Sequence, residues 1–362
     1  MKHYKKGELL VKKTFKLLIA ASLFTTVLTG CSTGQKGASN SSNKGEKVVV
    51  YSNSISNGRG DFLKQEASKK GFKLELVDLG GNDIYNRLVV EKDAPVADVA
   101  FGMNQMNFTS LKDKGMLTKY SPKWIDKVDK TIVDKDAKFS PLSEQRVFMI
   151  YNADKIKKNQ AVKDWKALYT TSSLKGKYVV PTNLGGATTN AVVYSQLENS
   201  LDKNGKDGIS KAGWDDLKAY FKNGKTLDQG KTEASALMNG DADYAYTFLS
   251  NVPVIEKKAK IKLGVVNPSY GVPQTIEQVG ILKKKHVSAS TKKFVDWMGS
   301  AEFQGKWAKK FGTAPVNKDA VSSMDPRVKE IMKETTPQKI DYSFVNKNLA
   351  KWIEHIELNI LK

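Results

Sequence analysis

The sequence predicts an α/β protein in two lobes, each a mostly parallel sheet flanked by helices. Three observations predict it. Short β-branched runs, of which Lys47-Val48-Val49-Val50-Tyr51 is the first, alternate with helix-length amphipathic stretches. The alternation continues to the C-terminal region with no internal repeat and no second long apolar span. Roughly 330 residues follow Cys31, more than one hydrophobic core serves before chains divide near ~250–300 residues.

The elements follow in order. Residues 47–51 form a buried strand, and Ser52 to Gly60 is polar and turn-rich. Asp61 to Lys70 reads as a helix with Asp61 as N-cap and Gly71 as its stop. Strands at Phe72–Val77 and Ala97–Phe101 flank a helix at Asp83–Lys92, and Met106–Lys114 is a helix ending at Gly115. Arg146–Tyr151 is an apolar strand running into Asn152-Ala153-Asp154, a helix-start signature. Tyr178-Val179-Val180, Ala242–Phe248, Lys262–Val266 and Gln278–Leu282 read as strands. Helices are expected at Asn190–Glu198, Gly213–Asn223, Lys231–Asn239, Thr291–Met298, Ala301–Phe311 and Asn346–Leu361.

Residues 1–30 read as a signal peptide rather than fold. Lys2, Lys5, Lys6, Lys12, Lys13 and Lys16 precede the apolar run Leu17–Gly30, which is shorter than the ~20 residues a membrane helix needs. The run ends in Leu28-Thr29-Gly30-Cys31, which resembles a bacterial lipobox. That resemblance implies cleavage before Cys31 and lipid on its thiol and new amino group, placing the protein on the extracytoplasmic face of the cell membrane. Residues 31–46 are rich in Ser, Gly, Asn and Lys after the cysteine and suit a flexible tether.

Composition excludes several classes. Cys31 is the only cysteine, so the domain has no disulfide framework and no Cys-based zinc site. The net charge of +21 falls to about +16 beyond the signal, but the lysines are interleaved with Asp and Glu. No basic helix with interleaved aromatics and no nucleic-acid motif is present, so the charge suits an anionic cell envelope rather than a nucleic acid. No Gly-x-Ser-x-Gly elbow occurs, and His3, His286 and His355 give little material for a triad. Gly224-Lys225-Thr226 and Gly230-Lys231-Thr232 mimic a P-loop end, but Ala219 and Lys225 stand where the earlier glycine belongs. Gly58-Arg59-Gly60 lacks the third glycine of a dinucleotide fingerprint, since Leu63 stands there. No cofactor and no catalytic residues are expected; a secreted enzyme is the rival class.

Six segments in order carry a family resemblance over about Val48 to Val321. They are Val48-Val49-Val50-Tyr51-Ser52, Ala97-Asp98-Val99-Ala100-Phe101-Gly102, Arg146 to Asn152, Asp164-Trp165 through Lys175-Gly176-Lys177, Leu237 to Asp243, and Pro315-Val316 after Gly312. The chain resembles extracellular solute-binding proteins of the ferric-ion, phosphonate and hexose-phosphate type, which have a periplasmic-binding-protein-like fold. The resemblance implies two lobes joined by crossing strands, closing on a ligand between them, and an ABC importer permease as partner. Lobe 1 is expected at 47–145 and 270–315, lobe 2 at 146–269 and 316–362, in a protein acting as a monomer.

Open α/β sheets bind ligands beyond the carboxyl ends of their strands. That rule nominates Ser52, Asn53 and Ser54 after the first strand, Asn104 after the third, and Tyr246 and Thr247 at a later strand end. Gly185, Gly186, Ala187, Thr188 and Thr189 form the most informative loop. Glycines admit a ligand close to the backbone, and the following helix start offers N–H groups to an anion. Glu277 is a further candidate, a carboxylate for a hydroxyl or ammonium. The adjacent tyrosine pair of ferric-ion binders is missing, although Tyr244 and Tyr246 share one sheet face. These residues favour an anionic solute bearing a phosphate or phosphonate and no metal ligation. Ferric ion, and thiamine or a polyamine, stay open.

Overall fold

The computed structural model describes residues 46–361. The expected signal peptide, Cys31 and the tether before Glu46 lie outside the described residues.

The chain runs β1 (Lys47–Ser52), α1 (Arg59–Lys69), β2 (Lys73–Asp78), α2 (Gly81–Val90), β3 (Val99–Asn104), α3 (Gln105–Asp113) and β4 (Ser140–Asn152). It continues with α4 (Trp165–Thr170), α5 (Ala187–Leu197), β5 (Leu201–Lys206), α6 (Lys211–Asn223), α7 (Glu233–Asn239), β6 (Tyr244–Phe248), α8 (Val252–Ala259) and β7 (Leu263–Val265). It ends with β8 (Gln274–Ile281), α9 (Ala289–Met298), α10 (Ala301–Phe311), β9 (Ala314–Pro315), α11 (Pro326–Glu334) and α12 (Tyr342–Asn359).

The strand order is β2-β1-β3-β8-β4-β6, with β7 and β9 also pairing β4. β1 pairs in parallel with β2 (Lys47↔Lys73 to Ser52↔Asp78) and with β3. The β-branched run of β1 is explained by burial on both faces. Val48 and Val50 enter one core with Val99, Leu142, Phe294 and Trp307, while Tyr51 enters a second with Ala100, Met103 and Phe108. A third core surrounds the later part of β4, β6 and the helices from α4 onward, where Tyr178, Tyr220 and Trp352 are fully enclosed.

β4 joins these regions. Its residues 140–146 pair antiparallel with β8, and 147–152 with β6 and β7. Nearly every β4 position is buried, as a strand packed on both faces requires. The fold is the two-lobed α/β arrangement with crossing strands. Parallel pairing holds for β2-β1-β3, whereas the pairings of β8 and β4 are antiparallel, because these strands carry the chain back between the cores.

Local differences have local reasons. α1 starts two residues early, after Gly58 at φ 78°, so Asp61 lies in its first turn and complements the helix dipole instead of capping it. Asn152 accepts a bond from the Asp154 N–H at 2.9 Å and makes an Asx turn, not a helix start. Tyr178 and Val179 form only isolated parallel bridges, to Tyr244 and Lys225. β5, α8 and α11 are additions. β5 is polar and exposed, with no alternation to announce it, whereas α11 begins at a visible signal, Asp325 capping ahead of Pro326.

Candidate functional site

A cleft of about 800 Å³ opens where the strand ends meet the helix starts. Small-molecule sites occupy about 300–1,000 Å³. Its walls come from the loop after β1, the starts of α2 and α5, the β3–α3 junction, the middle of β4, the first part of β8 and one side of α12.

The helix starts show why this region is receptive to anions. An α-helix leaves its first N–H groups without intrahelical partners, and most helices here cover them with a capping side chain. Asn104 caps α3, Ser210 caps α6, Ser300 caps α10 and Asp341 caps α12. α2 and α5 instead follow Gly80 and Gly186 with no side-chain cap, and both starts line the cleft. α5 has no acidic residue in its first turn, while α2 carries Asp83 there. The two starts meet, since Asn82 Nδ2 donates to the Gly185 carbonyl at 3.2 Å. α1 also follows a glycine, but the N–H groups of Arg59 and Gly60 bond to Ser56 and Ile55 carbonyls. It contributes the Arg59 side chain, which donates weakly to Ser250 Oγ at 3.4 Å and lies 5.4 Å from the Phe311 ring centre.

Glu277 lies opposite Asn104 in the β3–β8 register and accepts a bond from Ser143 Oγ at 2.9 Å. Burial pushes its carboxyl above the ordinary carboxylate range. Arg59 and the side chains of Ser143, Gln145 and Ser54 pull it back. The Asn53–Ser54 loop approaches Gly102 closely. At Gly102 φ is +96°, and a Cβ would stand 2.5 Å from Ser54 Oγ and 2.6 Å from Asn53 Oδ1. Only glycine fits this contact.

Of the residues nominated from sequence, Asn53, Ser54, Asn104, Gly185, Gly186, Ala187, Thr188 and Glu277 line the cleft. Asn104 spends its Oδ1 on the N–H of Asn107, at 3.0 Å. Four nominees do not line it. Ser52 is buried and its Oγ accepts from the Ser54 N–H, shaping the loop from behind. Thr189 Oγ1 turns back to the Gly186 carbonyl at 3.0 Å. Tyr246 is packed in the third core, and Thr247 Oγ1 accepts from Asn251. Neither residue is at the cleft, where β6 contributes its last residue, Phe248, instead.

Arg59, Asn82, Tyr85, Gln145, Asn190 and Thr275 line the cleft without having been nominated, and so does α12 through residues from Asn346 to Glu357. The Gly-Arg-Gly segment was a visible cue for Arg59. α12 shows only helical periodicity, which says nothing of where its polar side faces.

An α/β fold in two lobes with its cleft at strand ends is suited to holding a small ligand. The chain belongs to the family of bacterial extracellular solute-binding proteins, whose description matches residues 62–333. It is 28% identical over 302 residues to a probable ABC transporter periplasmic-binding protein of Sinorhizobium fredii, covering 83% of each chain. Among solved structures, it is similar to a ferric binding protein from Campylobacter jejuni, with a TM-score of 0.71 and 19% identity over 86% of this chain and 98% of that one. It is also similar to a periplasmic binding protein from Actinobacillus pleuropneumoniae with fructose-6-phosphate bound, with a TM-score of 0.67 and 21% identity over 86% and 99% of the two chains. At these identities the structures establish the fold. The family is one of solute-binding components of ABC transporters, not of enzymes, so a small-molecule ligand and a transporter permease are its partners. Among the described residues no helix is long and apolar enough to cross a membrane.

Proposed function

We propose that the protein captures a small solute bearing a phosphate or phosphonate and delivers it to its importer while anchored through lipid on Cys31, as a monomer. The observation that carries this reading is the meeting of two glycine-started, side-chain-uncapped helices in one cleft, with Arg59 on the same surface. An anion at a helix N-terminus gains about 0.3–1 kcal/mol, up to ~2 kcal/mol when partly buried. A charge-assisted bond from Arg59 adds about 1.5–3 kcal/mol. Lobe 1 comprises 47–145 and 270–315, and lobe 2 comprises 146–269 and 316–362, which puts α2 and α5 on opposite lobes. A ligand gripping both starts favours the closed form over the open one.

The ferric-ion reading needs paired phenolates in the cleft, where Tyr85 is the one tyrosine among the described lining residues. Tyr244 is enclosed in the core, its oxygen accepting from the Val162 N–H at 3.1 Å, and burial pushes the Tyr246 hydroxyl above its ordinary value. Calorimetry on the purified protein tests the proposal. Phosphate esters should bind and neutral sugars should not, and Arg59→Gln should weaken the esters about ten- to a hundredfold. Equal binding of neutral sugars, or unchanged ester affinity in the variant, would sink the reading.

A further inference from the structure

The two ends of the β2-β1-β3 sheet differ in charge. The carboxyl ends of its strands open on the cleft, where Arg59 is the one basic group among the described lining residues, against three glutamates. The amino ends are lysine-rich. β1 and β2 begin there with Lys47 opposite Lys73, and β8, running antiparallel, ends there with Ile281 opposite Val99. Lys283, Lys284 and Lys285 follow at the same edge, and α9 begins just beyond them. Ser290 Oγ of α9 donates to the Glu46 carbonyl at 3.3 Å, so the first described residue lies among these segments. Phe72, which leads into β2, packs on Phe294 of α9 with ring centres 5.6 Å apart, joining the start of β2 to the start of α9.

Lys73, Lys283, Lys285, Lys292 and Lys293 are exposed, and none forms an ion pair among the described residues. The neighbouring carboxylates are already engaged, Glu75 with Lys47 at 2.5 Å and Asp98 with Lys284 at 2.6 Å. Asp93 and Asp113 each stand beside a lysine in the chain, Lys92 and Lys114. The balance is five lysines against Glu46 and Asp296. α9 has no acidic residue in its first turn and carries Lys292 and Lys293 directly behind it, against the preference of a helix N-terminus for negative charge. Helix stability does not account for that placement.

We infer that this lysine-rich end is a docking face for the anionic lipid headgroups of the membrane that holds the protein, and that it keeps the cleft turned outward. The inference rests on the reading of Cys31 as the lipid-bearing residue. Cys31 and Glu46 are fifteen residues apart, a reach of at most roughly 50 Å, and Glu46 lies within the lysine cluster. The anchor therefore holds this end of the domain to the membrane. Each lysine that reaches an anionic surface strengthens attachment about fivefold. Such a field fades over about 8–10 Å at 0.1–0.15 M salt. The six residues of β1 span about 20 Å. A surface that touches the lysines therefore feels little of the carboxylates in the cleft.

The protein is reconstituted on vesicles of phosphatidylcholine, or of an equal mixture with phosphatidylglycerol, and its lysines are acetylated and read by mass spectrometry. On the mixed vesicles Lys73, Lys283, Lys285, Lys292 and Lys293 should react about threefold or more slowly than on phosphatidylcholine. Lys222 on α6 and Lys257 on α8, both exposed, should react alike on the two. Raising the salt to about 1 M should erase the difference. In a Lys283→Gln/Lys285→Gln/Lys292→Gln/Lys293→Gln variant, its fold checked by circular dichroism, Lys73 should react as fast on the mixed vesicles as on phosphatidylcholine. Equal reactivity on the two kinds of vesicle overturns the inference, as does a slowing that Lys222 and Lys257 share equally. Soluble polyphosphate that slows the five lysines as much as the mixed vesicles do would assign them to polyanions in general, and overturns it too. Flotation reads the anchor separately: failure to float with phosphatidylcholine counts against lipid on Cys31, whereas the lysine contrast decides the face.

Discussion

Replacing Gly102 by alanine tests the close contact that shapes the cleft floor. The added Cβ would lie 2.5 Å from Ser54 Oγ, 2.6 Å from Asn53 Oδ1 and 2.9 Å from Ser54 Cβ, and φ there is +96°. The backbone conformation alone costs an L-residue about 1–3 kcal/mol. The overlap adds about 1–3 kcal/mol unless the β1 loop shifts. Gly115→Ala is the matched control, because its φ is +68° but its Cβ would meet nothing within 4 Å. Urea unfolding should therefore show Gly102→Ala losing about 2–6 kcal/mol and Gly115→Ala about 1–3 kcal/mol, with the Gly102 variant the less stable. Calorimetry should show that only the Gly102 variant also loses ligand affinity, since Asn53 and Ser54 must move. Equal destabilisation of the two variants, or an unchanged affinity in Gly102→Ala, would refute the close-approach reasoning.

Three other outcomes are expected. Asn82→Ala removes the bond to the Gly185 carbonyl, worth about 0.5–1.5 kcal/mol, and should weaken ligand binding about two- to tenfold with little change in the unfolding midpoint. Glu277 is raised above 4.5 by burial, so the folded protein holds a proton that the unfolded chain has released. Stability from this group therefore falls as pH rises from about 4.5 through its folded value, and urea unfolding of Glu277→Gln across pH 4–8 should lack that slope. Trp352 is fully buried and donates its indole N–H to the Asp207 carbonyl at 3.0 Å. Trp352→Ala should cost about 3–5 kcal/mol and speed hydrogen exchange along α12.

Much of the fold is legible residue by residue. The β1 run announces a strand buried on both faces, and the helix over Ala301–Phe311 ends where Gly312 adopts φ +65°. Propensity and capping act within a few residues, so one sequence displays them. The same locality explains the misses. β5 lacks any apolar alternation, and the antiparallel entry of β8 beside β3 depends on a partner about 180 residues away. Tyr246 illustrates the limit within one strand: its side chain belongs to the core because of its pairing with Met149, which its own segment does not reveal.

The cleft divides in the same way. The sequence by itself determined the α/β class, the strand-end loops and the Gly-Gly-Ala-Thr segment, because each depends on local backbone chemistry. Only the tertiary structure decided that the α2 start meets α5 a hundred residues later, that Arg59 shares their surface, and that α12 turns Glu354 and Glu357 toward them. A cleft is a relation between distant segments. Long-range packing against the buried Trp352, rather than any pattern within α12, sets which side of that helix faces it.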